Sequence, residues 1–123
     1  MTRSVFEYAV LRAVPRIERG EAVNIGVVLY CQDADLLRAV VHVDPARLRA
    51  LDPGVDVDGV RGAAVALDRT CAGEGPAGQT SLGQRFRWLT APRSTVVQPG
   101  PVHSGLTDDA AAELQRLVAA LVE

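Results

Sequence analysis

The sequence contains no lysine, and this absence shapes its charge. All 13 basic residues are arginines, and 15 acidic residues leave a formal net charge of −2. Nonspecific nucleic-acid binders usually carry a basic excess, so this balance argues against that class of protein. GC-rich codon usage explains the number of arginines but not their positions, and a planar guanidinium suits carboxylate and phosphate groups.

Cysteines and long apolar runs are equally scarce. Cys31 and Cys71 form no CxxC pair and no disulfide-scaffold spacing, which is typical of reduced, packed thiols in a cytosolic protein. No apolar run approaches the roughly 18 residues that cross a membrane. Glu7 and Arg12 interrupt the apolar start, which argues against a signal peptide. We therefore expect a cytoplasmic protein with no membrane partner.

Aromatic side chains are few, although the chain is apolar enough to fold. Hydrophobic residues make up 48% of the sequence, but only two Phe, two Tyr and one Trp are among them. This composition favours a globular core of small aliphatic side chains over disorder. The 123 residues correspond to about one domain, so a single domain is expected over residues 1–123.

Three neighbouring strands are predicted in the first third of the chain, at residues 6–14, 23–31 and 36–43. In the second strand one parity is apolar, and its members are Val23, Ile25, Val27, Leu29 and Cys31. The apolar faces match only if paired positions sum to an even number, which places Asn24 and His42 on the same face. The opposite parity would bury Arg38 against Leu29.

The rest of the chain is mainly helical in pattern. Helices are predicted at 46–51, after Asp56, from the Ser81 capping box to Leu89, and towards the end of the chain. Residues 85–88 also alternate like a strand, so that segment stays open, and residues 94–98 are β-like before an irregular path. The segregated order predicts an α+β fold: a small antiparallel three-stranded meander plus a short extra strand, packed by three or four helices.

A first polar stretch links the first two strands. It contains Arg16, Arg19 and Glu21, and it continues to Asn24 and Gly26 in the second strand. One interpretation is a pocket in which an anion or a partner's backbone meets Arg19, Asn24 and the surface above Gly26. The other is an ordinary polar turn, with Gly26 marking a bulge or a close backbone approach.

Two further polar stretches follow. Arg85, Arg87 and Arg93 surround Phe86 and Trp88, and Ser94 follows them. The pattern indicates either a platform for phosphate, carboxylate or a base, or core aromatics with solvated arginines around them.

Gln98 and His103 lie in the Pro- and Gly-rich path that comes next. His103 and His42 together could do acid–base work, but they lack HxH or HxxxH spacing, so neither a metal nor a cofactor is expected.

The polar stretches together define one candidate binding cluster. Its members are Arg16, Arg19, Glu21, Asn24, Arg85, Arg93, Ser94, Gln98 and His103. The central expectation is that stretches distant in sequence meet on one face of the sheet, with Asn24 and His103 on the same side. GxSxG and CxxC motifs are absent from the sequence, so an enzyme is not the favoured interpretation.

Three parts of the chain resemble a known family. They are Tyr8-Ala9-Val10-Leu11-Arg12, the stretch from Arg19-Gly20-Glu21 to Val27-Val28-Leu29, and the segment from Arg85-Phe86-Arg87-Trp88 to His103. Together they resemble the bacterial domain-of-unknown-function family numbered 3037 over nearly the whole chain. The Ala-rich, lysine-free composition resembles that of actinobacterial proteins.

The resemblance implies no established activity. Members of the family that this chain resembles often look like genomic neighbours of HipA-like kinases, a class linked to toxin–antitoxin systems. The resemblance therefore implies a cytosolic partner or regulatory module associated with such a kinase, of open oligomeric state. The alternative from the polar residues is a small anion- or phosphate-binding domain, which would include an enzyme acting on a phosphorylated or nucleotide substrate.

Overall fold

The computed structural model describes residues 2–123, and within them strands and helices are segregated along the chain. The strands are Ser4–Ala13 (β1), Val23–Cys31 (β2), Leu36–Val41 (β3), Val97–Pro99 (β4) and His103–Thr107 (β5). The α-helices are Pro45–Leu51 (α1), Val57–Cys71 (α2), Leu82–Leu89 (α3) and Ala110–Leu121 (α4), with a 3-10 turn at Ala77–Gln79. The predicted α+β class is confirmed.

The sheet is antiparallel and has β1 at its centre. Strands β3, β2 and β1 form the predicted meander, and β4 and β5 both pair with the other side of β1. The short extra strand near residue 97 is confirmed, whereas β5 replaces part of the path that the sequence left irregular. Gly105 makes β5 possible here, because a Cβ at that position would lie 2.9 Å from the Phe6 ring.

Helices cover the two faces of the sheet unequally. On one face, here called the α2 face, α1, α2 and α3 pack against residues such as Leu11, Ile25 and Val28. On the other, the α4 face, the single helix α4 packs against Phe6, Val27 and Leu29. In residues 2–123, no helix is both long and apolar enough to cross a membrane.

A β-bulge divides β2 into two halves. Leu11 pairs with Gly26 and Arg12 with Asn24, so Ile25 is an extra residue in the ladder. The prediction of one continuous apolar face on β2 is therefore wrong: Val23 and Ile25 join the α2-face core, while Val27, Leu29 and Cys31 join the α4-face core. Gly26 also permits a close approach, since a Cβ there would lie 2.5 Å from the Val40 carbonyl oxygen.

The predicted register between β2 and β3 is also wrong. The observed pairs, among them Leu29–Arg38 and Tyr30–Leu37, sum to an odd number. Burial of Arg38 does not follow, because β3 is an edge strand and the long side chain remains exposed to solvent. His42 lies just after the end of β3 and is exposed, so the placement of Asn24 and His42 on one face stays a prediction.

The helix predictions made from local capping signals agree with the structure better than the strand register does. The Ser81 hydroxyl accepts from the Gln84 amide and the Gln84 side chain accepts from the Ser81 amide, so the capping box is present. Residues 85–88 are therefore helical, which resolves the alternative left open by their alternating pattern. This helix places the buried Phe86 ring against Tyr30 of β2, with ring centroids 5.6 Å apart.

Candidate functional site

The residues of the predicted polar cluster lie in three separate places, and the first is the β1–β2 connection. The Arg16 Nε donates to Glu18 at 3.0 Å, and the Arg19 Nε donates to Glu21 at 2.6 Å. The pKa of Glu18 is lowered mainly by a hydrogen bond from its own backbone and, to a smaller extent, by the bond from Arg16. Each arginine is thus paired within its own turn, and such exposed pairs contribute little to stability.

The second place is the α2 face, where Arg85 joins two segments. Its Nη1 donates to the Cys71 carbonyl at 3.1 Å and its Nη2 to the Thr80 carbonyl at 3.0 Å. The guanidinium therefore connects the end of α2 to the residue before the α3 N-cap, and it satisfies the Cys71 carbonyl at the C-terminal end of α2. Burial, with a smaller contribution from Asp68, raises the pKa of the neighbouring Cys71 thiol to about 11, which makes it a packed thiol rather than a nucleophile.

Trp88 and Arg93 form a stacked pair at the end of α3. The guanidinium carbon of Arg93 lies 4.8 Å from the centroid of the Trp88 ring. Its Nη2 donates to the Trp88 carbonyl at 2.6 Å, which fixes the arginine against the helix end. Trp88 remains 46% exposed, and Ser94, the next residue of the predicted cluster, is also exposed. A rigid aromatic surface therefore faces solvent at this point.

An apolar groove extends from this pair along α2. A depression of about 250 Å³ beside Trp88 and Arg93 has Ala63, Ala66 and Leu67 of α2 in its lining. A second depression, of about 330 Å³, shares Ala63 and Thr95 with the first and continues past Gly59 to Pro15. We call the two together the Trp88 groove. Small side chains on α2 leave the groove open, and Trp88 closes one end of it.

The third place is a row of polar side chains on the α4 face. Strand pairing sets Asn24 opposite Arg12 and Arg12 opposite Gln98. The Asn24 amide donates to the Leu121 carbonyl at 3.0 Å, and the Gln98 amide donates to the Thr95 carbonyl at 2.7 Å. The two polar stretches that contain Asn24 and Gln98 thus meet on one face, on either side of Arg12.

Arg12 is the residue of this row that sequence reasoning missed. Its half-buried side chain packs over Gly100, where a Cβ would lie 3.0 Å from Nη2. Within residues 2–123 no acidic side chain pairs with Arg12. The sequence shows Arg12 as an interruption of an apolar strand, and only the strand register, which sets it opposite positions 24 and 98, reveals its polar neighbours.

His103 lies on the same face, further along the sheet. It pairs with Tyr8 of β1, and the two ring centroids are 5.3 Å apart. Asn24, Gln98 and His103 therefore lie on the α4 face, whereas Arg85 and Arg93 lie on the α2 face. No metal-binding group of three or more His, Cys, Asp or Glu side chains occurs among residues 2–123.

Comparison with known proteins gives one match. No curated protein and no solved structure matches the chain. The family described as "Protein of unknown function (DUF3037)" matches residues 8–122, which include the Trp88 groove and the Arg12 row. This match agrees with the family expected from the sequence stretches. Because nearly the whole chain is covered, the protein belongs to the DUF3037 family.

Proposed function

We propose that this protein is a binding module that docks a partner protein in the Trp88 groove. The observation that carries the proposal is a tryptophan 46% exposed, stacked with an arginine, at the end of an apolar groove. Trp and Arg are the residue types most enriched among those that dominate binding energy at protein interfaces. The partner proposed from the family resemblance is a HipA-like kinase, whose activity the module would regulate in the cytoplasm.

The groove is preorganised, which favours binding. Arg93 is fixed to the Trp88 carbonyl, the α3 capping box fixes the helix start, and Arg85 ties α3 to α2. Little side-chain freedom remains to be lost at Trp88, so more of the contact energy is available for affinity. The complementary partner segment carries an apolar side chain for the α2 floor and an acidic group for the outer edge of Arg93.

The test is capture of a co-expressed HipA-like kinase encoded beside this protein. We expect the wild-type chain to retain the kinase and Trp88→Ala to weaken binding by about 2 kcal/mol or more, which is roughly a 30-fold loss of affinity. Val65→Ala is the matched control, because Val65 is 48% exposed on α2 but outside the groove. A chain that ignores the kinase, or a Trp88→Ala variant that still binds it, contradicts the proposal.

Anion binding is a second candidate, and one observation favours it. The half-buried Arg12 has no carboxylate partner among residues 2–123 and lies between two amide side chains. A guanidinium in this position suits a phosphate or carboxylate group, including that of a nucleotide substrate. Titration calorimetry with inorganic phosphate and with adenosine monophosphate tests it. Binding that Arg12→Gln abolishes and Arg116→Gln preserves supports this candidate, and no heat with either ligand eliminates it.

A further inference from the structure

The outer side of β5 is an open sheet edge, and the hydrogen bonds of β1 show which backbone groups it exposes. The Gly100 amide donates to the Val10 carbonyl at 2.7 Å, and the Val14 amide donates to the Val96 carbonyl at 2.7 Å. Even-numbered residues of β1 thus point their backbone groups towards β4 and β5. Because antiparallel pairs alternate, Ser104 and Leu106 of β5 point their N–H and C=O groups outward.

The chain leaves this edge without the usual protection. In residues 2–123, β5 pairs only with β1. Natural edge strands are commonly guarded by charge, proline or a covering helix, and the segment from Val102 to Leu106 carries no Asp, Glu, Arg or Pro. The neighbouring β4 does have such protection, with Pro99 in the strand and Pro101 just after it.

Exposed apolar side chains accompany the free backbone groups. Leu106 is 59% exposed, and Val5, its partner on β1, is 58% exposed. Val102, which immediately precedes β5, is 41% exposed. A strand added to this edge would pair with the free backbone groups and lie beside Val102 and Leu106, which is the usual mode of β-strand addition.

We propose that a second copy of this chain occupies the edge, with the two β5 strands antiparallel about a two-fold axis at Ser104. In this register Val102 lies opposite the partner subunit's Leu106, and Ser104 lies opposite the partner subunit's Ser104. His103 lies opposite the partner subunit's Gly105, which leaves room for the imidazole ring. The outward backbone groups of both strands pair, and one continuous sheet of both copies results.

Self-complementarity favours a second copy over an unrelated strand. The order apolar–His–Ser–Gly–apolar from Val102 to Leu106 matches itself when reversed about Ser104, because apolar meets apolar at both ends and the bulky ring meets glycine. The strand has no carboxylate or guanidinium, so two copies bring no like charges opposite one another. A two-fold centred on Gly105 instead would set Leu106 opposite a serine.

This inference does not depend on the proposed function, because the β5 edge and the Trp88 groove have no residue in common. Dimerisation is measured by sedimentation equilibrium of the full chain over a range of concentrations up to about 100 µM. We expect a dimer whose dissociation constant rises by about tenfold or more in Leu106→Lys, since the ammonium group would face the partner subunit's Val102. Val65→Lys, at a similarly exposed position on α2, serves as the matched control and leaves the dimer intact.

A second measurement addresses the register and guards against a variant that fails to fold. Amide hydrogen exchange in the wild-type chain slows at Ser104 and Leu106 as concentration rises, because their outward N–H groups become bonded in the dimer. Ser104→Pro removes one of these donors without removing a bond to β1, and it weakens the dimer. A monomer at the highest concentration, or a dimer unaffected by both variants with concentration-independent exchange, overturns the proposal.

Discussion

The two edges of the sheet differ in how well their backbone groups are covered, and the proposed dimer uses the less covered one. At the β3 edge, α2 packs alongside the strand, and Arg38 adds an exposed charge. At the β5 edge, no helix among residues 2–123 packs extensively against the strand, and Leu106 is more than half exposed. One edge is protected against pairing and the other is not.

The order of elements along the chain explains the asymmetry. After β3 the chain forms α1 and α2, which return over the α2 face and shield β3. After β5 it passes directly into α4, whose Leu114, Leu117 and Val118 pack against the middle of the sheet. Nothing between β5 and α4 is long enough to return over the β5 edge, because α4 begins at Ala110.

The largest expected effect comes from breaking the covered side. Phe86 has no exposed surface and stacks on Tyr30, so it holds α3 to the sheet. We expect Phe86→Ala to destabilise the protein by about 3–5 kcal/mol through lost burial and a residual cavity. Urea denaturation followed by circular dichroism measures it, and a loss below about 1 kcal/mol would contradict the packing described here.

A smaller but sizeable effect is expected where β3 approaches β2. Gly26→Ala would place a Cβ 2.5 Å from the Val40 carbonyl oxygen, so β3 must move away from β2. We expect a loss of about 1–3 kcal/mol. Gly62→Ala is the control, because a Cβ there meets nothing within 4 Å, and alanine in the helix α2 should stabilise by up to about 1 kcal/mol. Equal effects of the two substitutions in thermal unfolding would show that the approach at Gly26 is not tight.

Gly26 also shows how far the sequence could predict the fold. Capping signals such as the Ser81 box are local, so the helices that they begin were predictable. The bulge at Ile25 and Gly26 is not local, because the contact that requires it, with Val40, comes from another strand. Strict alternation is correct within each half of β2, but it wrongly places the two halves on the same face of the sheet.

The candidate site follows the same division. Trp88 and Arg93 were identifiable as an aromatic surrounded by arginines, but the groove beside them depends on how α2 packs against residues 95–97. Gln98 and Asn24 were identifiable as polar positions, whereas Arg12 acquires its importance only from strand pairing. The sequence therefore identifies the residue types of the site, whereas their contacts follow only from strand pairing and helix packing.

Placing the same substitution at both edges sharpens their comparison. Leu37 of β3 is half-buried and packs against the α2-face core, so Leu37→Lys should cost about 1–3 kcal/mol of stability. Leu106→Lys should change the stability of the monomer by no more than about 0.5 kcal/mol, because that side chain already faces solvent. Thermal unfolding at low protein concentration measures both, and similar losses would mean that the β5 edge is covered after all.

The smallest expected effect is a pH dependence of stability on α4. On α4, the carboxylate of Glu113 accepts two hydrogen bonds from Arg116, at 2.7 and 2.8 Å, and these bonds lower the pKa of Glu113 against the opposing effect of burial. A carboxyl whose pKa is lower in the folded than in the unfolded state stabilises the fold above its unfolded pKa. That contribution is lost as the pH falls through its folded pKa. Glu113→Gln should therefore be slightly less stable than wild type at neutral pH, with the gap closing in acid. Melting temperatures between about pH 7 and pH 2 measure the gap, and one that stays constant across this range would exclude the ion pair as its cause.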